Sequence, residues 1–290
     1  FRNVTGVQTC AHPISYDGYV NAKVSLAKQL LRSRKSNRTM IVNGDDAESS
    51  RFTALPVDHQ IQYSLKDAEP YEIKKDGIDF TLRSAGQTSG KTVHSKLSGL
   101  FNLYNILAGV AGARSQGVKD DVIIRAIEKF TGVAGRVERI EAGQDFTVIV
   151  DYAHTPDSLE KLYQVFQHTR MIAVLGGTGG GRDTWKRAEM GRLADDYCQD
   201  IILTDEDPYD EDPKKIVADV AAGIVNQKPT IIMDRRLAIR EAISRAQTGD
   251  TILITGKGTD PYIMGPRGTK MPWSDAKVAR EELENLLKKK

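Results

Sequence analysis

Residues 147–162 read TVIVDYAHTPDSLEKL, and this stretch decides the fold class. Four β-prone residues, Thr147–Val150, run straight into Asp151-Tyr152-Ala153-His154. Thr155-Pro156 then open a segment whose apolar residues recur at helical spacing. Threonine is a good N-cap and proline is favoured at the first helical position, so a strand becomes a helix across a short polar turn. Capping accounts for Thr155 and Pro156. It does not account for an aspartate, a tyrosine and a histidine side by side at the strand end, a group that suits the edge of a nucleotide site.

The same rhythm continues outward. TVIVD (147–151), MIAVLGG (171–177), DIILTDE (200–206), TIIMD (230–234) and TILITGKG (251–258) alternate with helical stretches. That alternation predicts right-handed βαβ units and a mainly parallel sheet of about five strands, a Rossmann-like α/β domain. Ligands of such sheets bind beyond the carboxyl ends of the strands. The chemistry is therefore expected in DYAHT (151–155), GGTGGGRD (176–183), TDEDPYDED (204–212) and GKGTD (256–260). Five glycines in the six positions 176–181, followed by Arg182, Lys186 and Arg187, suit a backbone anion site. The acidic 204–212 loop suits a solvated helix entry, with Asp207 placed to grip an ammonium group.

Upstream, 16–31 has the period of a helix, TMIVNGDD (39–46) reads as a strand, and 55–98 reads as a small antiparallel patch. LFNLYNILAGVAGARSQG (100–117) and DDVIIRAIEKF (120–130) are helices, with Gly117 and Gly132 as stop signals. A domain joint falls near residue 136, in GRVE (135–138). AGQTSGKT (85–92) fits a loose phosphate-loop template. The adjoining run TVHSKLSG (92–99) alternates like a strand and offers no helix N-terminus to a phosphate, so the octet reads as a hairpin turn.

The chain has 290 residues, 28% of them charged, and a net charge of +2, which gives no basis for nucleic-acid binding. Its two cysteines, Cys10 and Cys198, exclude a disulfide framework and a multi-cysteine zinc site. No apolar run is long enough for a membrane helix, so a cytoplasmic α/β protein is expected.

FNLYNILAG (101–109), GRVE, VDYAHTPDSLEK, the GGRDxxKRxxMG string (180–191) and GKGxD together resemble the Mur ligases. The resemblance lies with the branch that adds the third amino acid to UDP-N-acetylmuramoyl-L-alanyl-D-glutamate, and it runs from about Tyr16 to the C-terminus. It implies part of a central ATPase domain over 16–135 and the Rossmann-like C-terminal domain over 136–290. It also implies ATP-dependent amide-bond formation through an acyl phosphate, with Mg2+, a UDP-MurNAc-dipeptide and a free amino acid, in a cytoplasmic enzyme expected to be a monomer. Lys23 matches the lysine carried as a carbamate that supports a metal, and Asn43 falls near the nucleotide. Arg136 matches an arginine that reaches the ATP phosphates, and Asp151, Tyr152 and His154 line the same nucleotide. Arg182, Lys186, Gly256 and Asp260 fall in the pocket for the incoming amino acid.

Three departures from the family pattern matter. No GTNGKT-type phosphate loop precedes the 16–31 helix, so the chain is expected to be an inactive part of a longer enzyme. GVQTCAHPIS (6–15) stands where the family has a histidine-rich stretch and resembles a translated library adapter. Residues 1–15 are therefore expected to be a non-native leader, with Cys10 and His12 carrying no function. Finally, Glu206-Asp207-Pro208-Tyr209 stands where diaminopimelate-adding members read DNPR. Glu206 and Asp207 together, with no arginine, favour lysine or ornithine as the amino acid. A folylpolyglutamate- or cyanophycin-type ligase and a non-catalytic ligand-binding fragment are the competing readings.

Overall fold

The computed structural model describes residues 16–74, 76–83, 89–181 and 183–288. The chain divides after Phe130 into two compact units, the second being Thr131–Lys290. The expected joint near 136 is thus displaced by a few residues. Thr131–Gly135 belong with the second unit because a methyl group on Gly135 would lie only 2.5 Å from Gly258 C and Thr259 N.

The first unit contains α1 (Tyr16–Leu31), β1 (Thr39–Asn43), α2 (Ser49–Thr53), β2 (His59–Tyr63), β3 (Tyr71–Lys74), β4 (Gly77–Arg83), β5 (Gly90–Ser95), α3 (Leu100–Ser115) and α4 (Asp120–Lys129). The antiparallel patch expected over 55–98 is smaller than its sequence suggests. HQIQY, which alternates like a hairpin arm, pairs parallel with β1, placing Ile41 opposite Ile61. Among the described residues of this unit, β3, β4 and β5 form the antiparallel sheet. Its inner face is Ile78, Phe80, Leu82 and Val93, buried against Leu103, Ile106, Leu107 and Val110 of α3 and Ile123 of α4. Alternation in β4 explains this directly, since Ile78, Phe80 and Leu82 share one side of the strand. Residues 85–88 of the octet lie outside the described residues. Its Lys91 sits in mid-strand opposite Leu82 and forms an ion pair with Asp121.

The second unit contains β6 (Glu138–Arg139), β7 (Thr147–Val150), α5 (Pro156–Phe166), β8 (Met171–Leu175), α6 (Trp185–Tyr197), β9 (Asp200–Leu203), α7 (Pro213–Ala221), β10 (Thr230–Ile231), α8 (Arg235–Arg245), β11 (Thr251–Ile254), β12 (Tyr262–Met264), β13 (Lys270–Pro272) and α9 (Asp275–Leu287). Its six-stranded sheet has the order β10-β9-β8-β11-β7-β6. The five strands read from the sequence are the parallel ones, and the two-residue β6 adds an antiparallel edge.

Alternation along the buried strands feeds two cores. Met171, Ala173 and Leu175 face Leu159, Leu162, Met190 and Val217 of α5, α6 and α7. Ile172 and Val174 face Ala238, Ile239, Val278 and Leu283 of α8 and α9. Full burial of each large aliphatic contributes roughly 1.5–3 kcal/mol, so this three-layer packing is the main stabilising force. Because β11 enters between β7 and β8, the strand order reverses there. The turns after these strands, together with the turn after β9, converge on one end of the sheet.

Candidate active site

The first residues at that end come from the turn after β7. Asp151 N–H donates to Ile254 O at 3.0 Å, which extends the β7–β11 ladder by one residue. Its carboxylate accepts Val137 N–H at 2.7 Å on Oδ2 and Ala153 N–H at 2.7 Å on Oδ1. Burial raises the Asp151 pKa, and the two backbone donors oppose that shift. Asp151 therefore fastens the GRVE segment to the strand end. Thr155 caps α5 by accepting Ser158 N–H, as its place before Pro156 leads one to expect.

This anchoring aims three side chains. The Arg136 guanidinium lies 4.4 Å from the Tyr152 ring centroid, a cation–π contact. The Tyr152 and His154 rings meet edge to face at 4.7 Å and 72°. His154 Nδ1 lies 2.8 Å from Tyr152 O, so Nδ1–H donates to that carbonyl and fixes the ring's orientation. Gly258 has φ +47°, and an added Cβ would sit 2.7 Å from Tyr152 Cβ and 2.9 Å from Gly135 O. The 256–260 turn thus closes onto the GRVE segment through glycine alone.

The structure corrects the expected acceptor pocket. Lys257, a residue that its sequence context does not single out, is fully buried, and its ammonium lies 2.8 and 2.7 Å from the two oxygens of Asp207. Asp207 Oδ1 also accepts Met264 N–H at 2.8 Å. Asp207 is therefore not free to grip an incoming amine. Asp260 stands 3.7 Å from the same ammonium and is partly exposed.

Glu206 is enclosed as well. Its Oε1 accepts the Thr178 hydroxyl at 2.9 Å, whereas Oε2 is buried with no partner among the described residues. Burial raises the Glu206 pKa. A Cβ on Gly256 would fall 2.2 Å from that Oε2, so Gly256 backs onto the glutamate rather than onto open space.

Pro208 lies under the glycine loop, its carbonyl oxygen 2.0 Å from where a Gly179 Cβ would stand. Tyr209 adopts φ 51° and donates its N–H to Met264 O at 3.0 Å.

The glycine-rich loop 176–181 is held from within. Gly179 N–H donates to Asp207 O at 2.7 Å, and Gly181 N–H donates to the Glu211 carboxylate. The fully buried Arg187 bonds Thr178 O at 3.0 Å, Glu211 at 2.8 Å and Asp219 at 2.9 Å. Its charge is spent inside the protein, contrary to the expectation that it serves an external anion. Lys186 is buried on the same helix, and its ammonium makes no hydrogen bond or ion pair with another described residue. Arg182 lies outside the described residues.

A second buried pair joins elements far apart in the chain. Arg235 meets Asp275 at 2.7 and 2.8 Å and also bonds Thr255 O and Asp205 O, tying the ends of β11 and β9 to the starts of α8 and α9. Its only sequence signal is DRR after TIIM, with Asp275 forty residues away.

In the first unit, Lys23 and Asn43 line one cavity of about 550 Å³, with Asp46 and Glu48 at its polar end and Val20, Met40 and Phe52 on its floor. Lys23 is exposed, and its ammonium lies 5.4 Å over the Tyr19 ring. Among the described residues no group of three histidine, cysteine, aspartate or glutamate side chains could hold a metal ion. None of the described helices is long and apolar enough to cross a membrane.

Sequence and structure together define an α/β fold whose main sheet is largely parallel, the architecture of the Mur ligases. The chain belongs to the Mur ligase family: residues 12–113 match the Mur ligase middle domain and 135–258 the Mur ligase glutamate ligase domain. It is 36% identical over 275 residues to a UDP-N-acetylmuramoyl-L-alanyl-D-glutamate–2,6-diaminopimelate ligase of Lactiplantibacillus plantarum, covering 91% of this chain and 55% of the relative. It is 37% identical to a UDP-N-acetylmuramyl-tripeptide synthetase of Roseiflexus sp., covering 87% of this chain and 52% of that one. A solved UDP-N-acetylmuramoyl-L-alanyl-D-glutamate–2,6-diaminopimelate ligase superposes with a TM-score of 0.60 at 28% identity, over 97% of this chain and 59% of that chain. The chain thus spans little more than half the length of these relatives.

Proposed function

We propose that the protein catalyses ATP-dependent amide-bond formation, adding a third amino acid to UDP-MurNAc-L-Ala-D-Glu in peptidoglycan synthesis. The observation that carries this reading is the Arg136–Tyr152–His154 group at the carboxyl end of a parallel strand, pinned there by Asp151. A cation over an aromatic face, with a histidine ring against that aromatic, suits a nucleotide's base and phosphate charge. ATP supplies the phosphoryl group that turns a carboxylate oxygen into a leaving group. The chain's own part is to orient the nucleotide with Arg136 and to shape the acceptor crevice with the 204–211 and 256–260 turns.

Mg2+ would find support from Lys23 as a carbamate beside Asp46 and Glu48. Among the described residues there is no complete ligand set for the ion. Asn43 lines the same first-unit cavity as Lys23, its Oδ1 accepting Asp45 N–H at 3.1 Å. The acceptor is a diamino acid. Taken alone, Tyr209 in place of an arginine favours lysine or ornithine over diaminopimelate, whereas Asp207, neutralised by Lys257, and the enclosed Glu206 add little to that preference. A monomer completes the proposal.

Saturation-transfer NMR with ATP on the 290-residue chain tests the nucleotide assignment. R136A should weaken the ATP signal about ten-fold or more, given a charge-assisted contact of roughly 1.5–3 kcal/mol. K91A, in the loose phosphate-loop match, should leave it unchanged. Loss of ATP binding in K91A with retention in R136A would overturn the assignment.

A further inference from the structure

The hairpin β12–β13, with its tip at Pro266–Gly268, carries no motif, yet it is fastened to the 204–211 loop at three points. Met264 N–H bonds Asp207 Oδ1 at 2.8 Å, Tyr209 N–H bonds Met264 O at 3.0 Å, and Arg267 N–H bonds Asp210 Oδ1 at 2.7 Å. The residue delivered to that loop is an arginine at the hairpin tip.

Two observations set Arg267 apart. Its backbone adopts φ 56°, a left-handed conformation that arginine disfavours, and it is flanked by Pro266 and Gly268. Strain of this kind persists where the surroundings impose it, and it concentrates at ligand sites. Its guanidinium is also exposed and unclaimed. Among the described arginines of this unit, Arg267 alone lacks a side-chain hydrogen bond, ion pair or ring contact. The other basic side chain of the hairpin, Lys270, lies 5.5 Å over the Tyr262 ring.

The loop that Arg267 reaches carries Tyr209 where the family pattern has an arginine. A carboxylate on the side chain of the incoming amino acid needs a cation at this loop, and Tyr209 cannot supply one. Asp207, the loop carboxylate beside Tyr209's turn, is already neutralised by Lys257 and so does not itself oppose such a carboxylate. We infer that Arg267, presented by the latched hairpin beside Tyr209 and Asp210, is a specificity-determining residue that pairs with a distal carboxylate of the incoming diamino acid. This rests on the ligase reading above.

The test is saturation-transfer NMR of 2,6-diaminopimelate and of L-lysine with the wild-type chain and with R267A, R267K and K270A. Thermal melts confirm that each variant folds, as expected for exposed positions. The expected result is a ten- to hundred-fold loss of diaminopimelate affinity in R267A, an intermediate loss in R267K, and no change for lysine or in K270A. An R267A chain that binds diaminopimelate as wild type does, or that loses both amino acids equally, overturns the inference and leaves the ligase reading standing. Preference of the wild-type chain for lysine also overturns it. Binding of neither amino acid by wild type overturns the acceptor reading and the inference together.

Discussion

Replacing Lys257 with methionine tests whether the acidic turn after β9 is a ligand site or a closed electrostatic joint. Lys257 and Asp207 have side chains 1% and 9% exposed, and the ammonium contacts both carboxylate oxygens. K257M keeps most of the volume but leaves Asp207 buried with Met264 N–H as its one remaining donor among these contacts. Removing one partner of a buried pair costs about 3–5 kcal/mol, because the remaining charge is uncompensated. D207N leaves the buried Lys257 ammonium with only the partly exposed Asp260 carboxylate 3.7 Å away, and should cost a comparable amount, about 3–5 kcal/mol. In the double variant no isolated charge remains, so the two losses should fall short of additivity by about 1–3 kcal/mol. Urea unfolding followed by tryptophan fluorescence is the natural assay, because both tryptophans, Trp185 and Trp273, lie in the second unit. A K257M loss below about 1 kcal/mol at unchanged m-value would refute the reasoning, since a buried charge cannot be left unpaired so cheaply. Asp207 would then return as a carboxylate available to an acceptor ammonium.

Two further outcomes concern the same turns. Burial raises the Glu206 pKa above its ordinary 4.5, so the folded state holds this proton to higher pH than the unfolded chain does. Its contribution to stability is therefore present at low pH and is lost as pH rises from about 4.5 through the folded value. E206Q, which mimics the protonated group, should flatten that fall in a series of urea melts from about pH 4.5 to about pH 8, and an unchanged slope would remove Glu206 as its source. Gly135 has φ +62°, and an added Cβ would meet two backbone atoms at 2.5 Å. G135A should destabilise the second unit by on the order of 1–3 kcal/mol in the same assay, and a neutral effect would mean that the 135–138 and 256–260 segments do not pack as described.

The α/β architecture of the second unit was legible because strand and helix periods alternate over five cycles, and burial on both faces makes the strands continuous apolar runs. The two-residue β6 lies below any periodic window. The parallel pairing of His59–Tyr63 is hidden because HQIQY alternates in the way a hairpin arm does, and alternation says nothing about strand direction. At the site, Asp151, Tyr152 and His154 were legible because they stand together in the sequence. Lys257 and Asp207 were legible as residue types, but fifty positions separate them, and a charge list does not say which charges neutralise one another. The same holds for Arg187 with Glu211 and Asp219.

Backbone strain separates the legible from the hidden in a second way. Where left-handed backbone is built from glycine, as at Gly180, Gly181, Gly256 and Gly258, the residue itself announces the conformation. Where it is built from another residue, composition gives no sign. In the second unit the described non-glycine residues with positive φ are Val137, Asp183, Tyr209 and Arg267. Val137 adjoins Arg136, Asp183 closes the glycine-rich loop, and Tyr209 and Arg267 are joined through the hairpin latch. Glycine at any of these positions would relieve a cost of roughly 1–2 kcal/mol. That the side chains are nevertheless present at the turns where nucleotide and acceptor are proposed to meet places them with function rather than stability.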